Sequence, residues 1–451
     1  MIEANPQAVP RDAGSDRVPL FSTSKIVAVV IGNSLEFYDF LSFTFFSVNL
    51  ARVMFPAGLP GTALLLTLMT GSLGFFARPV GAVLFGLLGD RIGRRPSMLA
   101  TFMLMGVGAL GLALTPSYAS IGLAAPILVV VFRIVQGVAV GGDVGPTTAY
   151  LAECAPTARR GLFTSLQLAA MRIGAMAGGL VGLGLASAMS PAALDAYGWR
   201  IAFGIGAAIV PFAFILRRRL EETLHLPEVD PRAPMKIEPL VYGGALLGMF
   251  GGLVMSSMSD FMFTFATTWL AVPATIAYRL TVAIGAVQVV SVLFGGWLAD
   301  RIGRRWLKLY PSLAGALLAI PLFAWGIAGA GMAQLSVAVL VLTAFSALTM
   351  SPAYVALVEC APKRMRSGLV GIGYGLVIAA AFGLCPPIIA GYIRASHDLN
   401  GPAYAWLLGF GLMLLSALIT RETHPARADK GDAVTLWRAT RPSPGIRAAS
   451  R

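Results

Sequence analysis

The sequence predicts an all-α integral membrane protein with twelve transmembrane helices in two six-helix bundles and both termini in the cytoplasm. Hydrophobic residues make up 57% of the 451 residues, charged residues only 12%, and the mean hydropathy is +0.77. A soluble domain carries about 25% charged residues, so this chain is expected to lie in a bilayer. A hexapeptide that occurs twice, nearly half the chain apart, indicates that the bundles are copies of one unit.

The hydrophobic pattern divides the chain into segments. Twelve apolar stretches are each long enough to supply the ~20 residues that cross a bilayer. A charged, Pro-rich stretch in the middle is typical of a linker, and the polar tail is expected to be disordered. The predicted segments are a polar N-terminus (1–23), an N-terminal bundle (24–217), a cytoplasmic linker (218–238), a C-terminal bundle (239–420) and a basic tail (421–451). The predicted spans are 25–48, 62–88, 98–115, 123–150, 161–189, 200–216, 239–266, 273–298, 308–328, 334–357, 368–392 and 402–420.

The net charge of +13 reflects membrane topology rather than nucleic-acid binding. Most of the 34 Lys and Arg residues flank the spans on one side, and the loops on the other side hold Arg52, Arg200, Arg279 and Arg394. Cytoplasmic loops carry such an excess of basic residues. We therefore expect a multi-pass protein of the plasma (inner) membrane with no nucleic-acid partner.

The repeated hexapeptide, Asp-Arg-Ile-Gly-Arg-Arg, occupies 90–95 and 300–305, each time with a glycine four residues upstream. A second echo, Glu-Cys-Ala-Pro, begins at Glu153 and at Glu359. The glycines permit close helix contact, the aspartates can cap a neighbouring helix, and the arginines can pair with the two glutamates. Membrane topology alone needs only the basic residues, so we interpret the motifs as a cytoplasmic gate. The predicted gate residues are Gly86, Asp90, Arg91, Gly93, Arg94, Arg95, Glu153, Asp300, Arg301, Arg304 and Glu359.

The doubled Gly-x-x-x-Asp-Arg-x-Gly-Arg-Arg pattern resembles the signature of the major facilitator superfamily. Residues 32–40 (Gly-Asn-Ser-Leu-Glu-Phe-Tyr-Asp-Phe), Arg78-Pro79 and the Arg133-x-x-Gln136-Gly stretch further resemble its metabolite:proton symporter family. Residues 121–126 and 218–223 look most like the citrate and tricarballylate group of that family. The resemblance implies the major facilitator fold and alternating access by rocking of the two bundles.

Two carboxylates in the first span are predicted to couple transport to protons. Glu36 and Asp39 are three residues apart, so they share a helix face, and Asn33 lies one turn earlier on it. A charged side chain at the bilayer centre costs about 2.5–3.5 kcal/mol, so each needs a partner. Helical rise places Asp39 at the depth of Arg133 and Glu36 nearer to Arg78. An ionised Asp39 would hold Arg133, and protonation would release it; a static ion pair is the alternative.

Arginines within the spans suit an anionic substrate. Arg172 could donate two hydrogen bonds to a substrate carboxylate or could pair with Asp143, and both interpretations stay open. Asp260, Gln288 and Tyr374 in the second half could face the cavity, although packing or water contacts are the commoner role. The predicted substrate-binding residues are Arg133, Arg78, Arg172, Gln136, Gln167 and Asn33.

The expected function is import of a small organic anion with protons, most simply a di- or tricarboxylate such as citrate. His225, His397 and His424 have no metal-ligand spacing, and no phosphate-binding Walker loop occurs. We therefore expect no cofactor, no metal and no enzyme activity, and a monomer whose partners are the substrate, protons and lipid. The alternative is a proline or betaine symporter with an aromatic cage. Its candidate cage residues are Phe37, Tyr38, Phe40 and Phe43.

Overall fold

The computed structural model describes residues 23–55, 60–212, 239–329, 332–362 and 365–420, with Ile215, Glu222 and Glu422. This described part contains twelve helices that are long and apolar enough to cross a membrane, which confirms the predicted number of spans. The twelve are α1 (Thr23–Phe45), α2 (Pro60–Arg91), α3 (Arg94–Leu114), α4 (Ala124–Cys154), α5 (Arg160–Ala188), α6 (Pro191–Phe212), α7 (Pro239–Thr268), α8 (Ala274–Ile302), α9 (Arg304–Ala328), α10 (Met332–Glu359), α11 (Arg366–Ser396) and α12 (Gly401–Ile419). Most of the predicted linker and tail lies outside the described residues.

The predicted start of the sixth span was wrong. Helix α6 begins at Pro191, well before residue 200, and contains Asp195. This acid pairs with Arg52 at 2.9 Å and accepts a hydrogen bond from Asn49 at 2.6 Å. Because protein groups satisfy the carboxylate, the helix can extend through it instead of stopping.

The two halves, α1–α6 and α7–α12, meet mainly along two helix pairs, α2 with α11 and α5 with α8. A side chain at Gly86 would come within 3.2 Å of the Gly368 Cα atom, and one at Gly296 within 2.9 Å of the Gly161 carbonyl oxygen. Small residues therefore bring the halves together at both repeats of the motif. We call the face with the loops 90–95 and 300–305 the loop side, and the opposite face the far side.

Two glycines turn the chain between neighbouring helices on the loop side. Gly93 separates α2 from α3 with φ 123°, and Gly303 separates α8 from α9 with φ 97°. Residues with a Cβ rarely adopt such φ values. A Cβ at these positions would also collide with the carboxylates of Glu222 and Glu422. The third and fourth residues after each repeated Asp are thus fixed by different constraints, backbone geometry for the glycine and ionic contacts for the arginine.

Replacing Gly93 by Ala is expected to lower the melting temperature in detergent, because it adds backbone strain of about 1–3 kcal/mol to the steric conflict with Glu222. Gly122 offers a matched control: its φ is also positive, at 59°, but nothing lies within 4 Å of a Cβ there. Gly122→Ala should therefore lower the melting temperature less. Equal shifts in the two variants would contradict a role for the Glu222 contact.

Candidate functional site

Two buried arginines stack on the same aromatic ring in the N-terminal half. Arg78 from α2 and Arg133 from α4 place their Cζ atoms 4.3 and 4.1 Å from the centroid of the Phe40 ring of α1. Arg78 also lies 4.6 Å from the Phe75 ring, and Arg133 lies 4.2 Å from the Phe43 ring. Aromatic faces attract cations, so these rings position the two guanidinium groups without using their N–H donors.

The predicted direct ion pair between Asp39 and Arg133 is not formed, because an amide lies between them. Gln136 donates from Nε2 to Asp39 Oδ2 and accepts at Oε1 a hydrogen bond of 2.9 Å from Arg133 Nη1. Arg133 Nη1 also donates to the Phe40 carbonyl oxygen at 3.1 Å. Gln136 lies almost one turn after Arg133 on α4, which puts its amide on the same face as the guanidinium. The carboxylate therefore acts on the arginine through Gln136.

Several donors of the two arginines have no hydrogen-bond partner among the described residues. They are Nε and Nη1 of Arg78 and Nε and Nη2 of Arg133. Arg78 is 1% exposed, and the described part of the chain places no carboxylate in ion-pair contact with it. A buried charge without a partner is costly. These donors are therefore suited to an anion that enters from outside the protein.

Two further carboxyl groups adjoin each other between α1 and α4. Asp143 accepts hydrogen bonds from Asn33 Nδ2 at 3.2 Å and from Thr147 Oγ1 at 2.7 Å. Glu36 lies beside Asp143, is fully buried, and accepts no hydrogen bond at either carboxylate oxygen from the described residues. Asn33, predicted as a substrate ligand, donates to Asp143 through its Nδ2, and its Oδ1 has no hydrogen-bond partner among the described residues.

Arg172 of α5 contacts the opposite half. Its Nη1 donates to Asp260 Oδ2 at 3.3 Å and Oδ1 at 3.4 Å, and to Gln288 Oε1 at 3.4 Å. The predicted alternative, pairing with Asp143, was wrong because Asp143 is already held by residues of α1 and α4. Asp260 is therefore an ion-pair partner, although packing was its more common expected role. Gln167, also on α5, is fully buried with both amide atoms unpartnered in the described part.

On the far side of Arg78 and Arg133, aromatic residues connect the two halves. Phe75 of α2 and Phe382 of α11 stack across the two halves with ring centroids 5.1 Å apart. Tyr278 of α8 donates from its hydroxyl to the Phe45 carbonyl oxygen at 3.1 Å. Beyond the Phe43 and Phe75 rings lies a cavity lined by residues of α1, α2, α7 and α11.

On the loop side, each repeated aspartate caps a helix of the other half. Asp90 accepts hydrogen bonds from the backbone N–H groups of Ser367 at 3.3 Å and Gly368 at 2.7 Å, at the start of α11. Asp300 accepts from Gly161 at 2.8 Å and Leu162 at 2.9 Å, at the start of α5. These carboxylates satisfy helix N-terminal donors and complement the helix dipole. The capping predicted from the repeat is confirmed, and it joins the halves twice.

The predicted arginine–glutamate pairs are also present. Arg94 pairs with Asp90 and, at 3.2 Å, with Glu153. Arg304 pairs with Asp300 at 3.1 Å and with Glu359 at 2.9 Å. Each pair holds the repeated loop of one half against the end of that half's fourth spanning helix, which keeps the capping aspartate in place.

Two of the predicted gate residues lie outside these contacts. Arg91 is exposed, and Arg301 is exposed with its Cζ 3.9 Å from the Trp297 ring. Successive residues on a helix point about 100° apart, so an arginine directly after the capping aspartate points away from the interface. Arg95 contributes its backbone N–H, which donates to Glu222 at 3.1 Å.

The sequence analysis missed two carboxylates, one in each half, that each cap a helix of their own half. Glu222 accepts from the backbone N–H of Arg94 at 2.8 Å, and Glu422 accepts from that of Arg304 at 2.9 Å. A sequence signal was available, because a Glu-Thr pair follows the last helix of each half, at 222–223 and at 422–423.

Comparisons with known proteins agree with this architecture. Residues 26–226 match the family model described as "Sugar (and other) transporter". The chain is 32% identical over 400 residues to a citrate-proton symporter of Salmonella typhi, covering 87% of this chain and 92% of that protein. It is 28% identical to a proline/betaine transporter of Escherichia coli (strain K12), covering 88% and 83%.

Among solved structures, an MFS proton:xylose symporter bound to 6-bromo-6-deoxy-D-glucose superposes with a TM-score of 0.74. The match has 18% sequence identity and covers 89% of this chain and 96% of that one. At this identity the comparison shows the fold alone. Together with the citrate-proton symporter relative and the twelve spanning helices, it identifies a multi-pass membrane carrier rather than an enzyme. The protein belongs to the major facilitator superfamily, in its metabolite:proton symporter family, and is a proton-coupled symporter.

Proposed function

We propose that this symporter imports a small organic anion, a di- or tricarboxylate such as citrate, together with protons by alternating access. The observation that supports this substrate class is the pair Arg78 and Arg133, buried on Phe40 with unpartnered N–H donors. A guanidinium forms two parallel hydrogen bonds with a carboxylate. Two such groups side by side suit a substrate with at least two carboxylates. The citrate-proton symporter relatives support the same assignment.

The proton acts through Asp39 in this proposal. While Asp39 is ionised, the Gln136 amide donates to it and accepts from Arg133, so one face of the arginine is occupied. A protonated Asp39 is a weaker acceptor, and the amide is then free to turn away. Arg133 gains donors for the substrate at the moment when the proton is bound. Substrate and proton therefore bind together, and the carrier rocks with both.

A proline or betaine symporter is the second candidate, because relatives with those substrates are 28% identical to this chain. A quaternary ammonium group would need the faces of Phe37, Phe40 and Phe43. Those rings already carry Arg78 and Arg133, with Arg78 5.5 Å from Phe37. A cation placed there would be repelled by two buried positive charges, so the carboxylate substrate is favoured.

Asp39→Asn is expected to abolish citrate uptake driven by a pH gradient while citrate counterflow continues. Asparagine cannot bind the coupling proton, but it leaves the shape of the site nearly unchanged. The measurement is radiolabelled citrate uptake into proteoliposomes, with Asp398→Asn, in the loop between α11 and α12, as the control that keeps both activities. Wild-type vesicles that take up proline or betaine but no citrate would overturn the carboxylate assignment. Gradient-driven uptake retained in Asp39→Asn would exclude Asp39 as the coupling acid.

A further inference from the structure

The ion pair of Arg172 and Asp260 bridges the two halves inside the membrane region. Arg172 lies on α5 and is 2% exposed, whereas Asp260 lies on α7 and is 8% exposed. Gln288 of α8 is the third member and is 1% exposed. Because the partners belong to different halves, the pair must lengthen or break when one half rocks against the other.

The geometry of this ion pair is loose. All three hydrogen bonds of Arg172 are donated by Nη1, at 3.3 to 3.4 Å, to Asp260 and Gln288. Charge-assisted hydrogen bonds are usually about 2.7–2.9 Å long, and a guanidinium offers five N–H donors in a fixed fork. Asp260 therefore neutralises the charge of Arg172 without accepting two parallel hydrogen bonds from different guanidinium nitrogens. A second carboxylate could bind the guanidinium in that way, and more tightly.

Asp260 is slightly exposed towards the far side, in contrast to Glu36, Asp39 and Asp143. It lines the cavity beyond Phe43 and Phe75, whereas Glu36, Asp39 and Asp143 are 0% exposed. A proton that enters this cavity meets Asp260 before those three acids. Protonation would remove the negative charge that holds Arg172.

The surroundings place this pair next to the site of the proposed function. Tyr374 of α11 lies within hydrogen-bond reach of Arg78, and its hydroxyl is 3.3 Å from Met171 Sδ, the residue before Arg172. The ionisable groups near Asp260 are Arg172 on α5 and Tyr374 on α11. Cys385, also on α11, lies beside Ser257, one turn before Asp260. Arg172 is the cation among them.

We infer that Arg172 and Gln288 form a third carboxylate subsite, which Asp260 occupies until it is protonated from the far side. The inference rests on the proposed function, because it presupposes a carboxylate substrate bound by Arg78 and Arg133. A proton adds to the Asp260 carboxylate, the neutral acid releases Arg172, and a third carboxylate of the substrate takes its place. When substrate and proton leave, the pair re-forms and pulls the empty halves together.

The test uses two substrates that differ by one carboxylate, tricarballylate and glutarate, in counterflow with proteoliposomes. In Asp260→Asn, Arg172 has no ionic partner at any pH. The KM for tricarballylate at neutral pH is expected to fall by about tenfold relative to wild type, and at acidic pH the two proteins should be similar. The KM for glutarate should stay near the wild-type value. Comparing the proteins at the same pH cancels protonation of the substrate itself.

A second variant keeps the test informative if Asp260→Asn folds poorly with an unpaired arginine. Arg172→Gln/Asp260→Asn removes both charges, and its KM for tricarballylate should be raised at acidic pH to that of a dicarboxylate. Asp195→Asn removes another acid–arginine pair on the far side and should leave the pH profile unchanged.

The outcomes separate the two proposals. Wild-type protein that exchanges no carboxylate would overturn the proposed function and this inference with it. Wild-type exchange together with an unaltered tricarballylate pH profile in the double variant would overturn the third subsite alone. Equal effects of the variants on tricarballylate and glutarate would also overturn it, since they would indicate a structural ion pair.

Discussion

Replacing Arg78 by Gln is expected to raise the KM for citrate by roughly 30-fold or more. Truncating one partner of a buried, hydrogen-bonded charge pair costs about 2–5 kcal/mol, and each ~1.4 kcal/mol is a factor of ten in affinity. Arg78 is buried and stacked on Phe40 and Phe75, and no carboxylate of the described residues lies in ion-pair contact with it. The substrate is therefore its proposed partner. The measurement is the concentration dependence of citrate counterflow in proteoliposomes.

The Arg78→Gln variant also distinguishes a role of Arg78 in substrate binding from a role in protein stability. A buried guanidinium without a carboxylate in ion-pair contact destabilises the empty protein, so Arg78→Gln should melt at the wild-type temperature or above it. Arg78→Lys keeps the charge but lacks the planar guanidinium fork. Its KM for citrate should lie between those of the wild type and Arg78→Gln. Arg91→Gln, at an exposed position of the same helix, should change neither KM nor melting temperature. A large loss of stability in Arg78→Gln with an unchanged KM would contradict the binding role.

Replacing both Asp90 and Asp300 by Ala is expected to shift the carrier towards states that are open on the loop side. A lost helix cap costs about 0.5–2 kcal/mol, so losing both should change the ratio of open to closed states by roughly tenfold or more. The readout is the labelling rate of a single cysteine placed at Ala82, which is buried where α2 meets α11. An impermeant thiol reagent added on the loop side should react faster in the double variant.

The control for this experiment comes from the other pair of capping carboxylates. Glu222 and Glu422 cap α3 and α9 within their own halves. Replacing both by Ala should reduce stability but leave labelling at position 82 unchanged. If this control accelerates labelling as much as the aspartate variant, the interface between the halves is not what the aspartates hold.

The sequence predicts contacts well where the duplication repeats them. Asp90 and Asp300, with Arg94 and Arg304, occur in matching places, so one physical explanation accounts for both copies. The ion pair of Arg172 has no such echo. Which side chains of α5 reach α7 depends on how the two halves pack, and hydrophobic periodicity within a single span contains no information about that packing.

The bridge through Gln136 was unpredictable for a different reason. Depth estimates from helical rise placed Asp39 and Arg133 at similar levels, and the structure agrees in bringing them to one cluster. Depth does not specify whether a third side chain comes between two charges. The amide of Gln136 satisfies both, which lowers the cost of burying them.

The contacts that close the loop side affect how the substrate specificity of such a carrier can change. Asp90 and Asp300 bind backbone N–H groups at helix ends, so these contacts require no particular side chain on the opposing helix and no contact with the transported molecule. Substitutions of Arg133, whose hydrogen bonds lie within the first half, would therefore alter selectivity without changing these loop-side contacts. New specificities could arise by single substitutions while the loop-side contacts between the two halves stay the same.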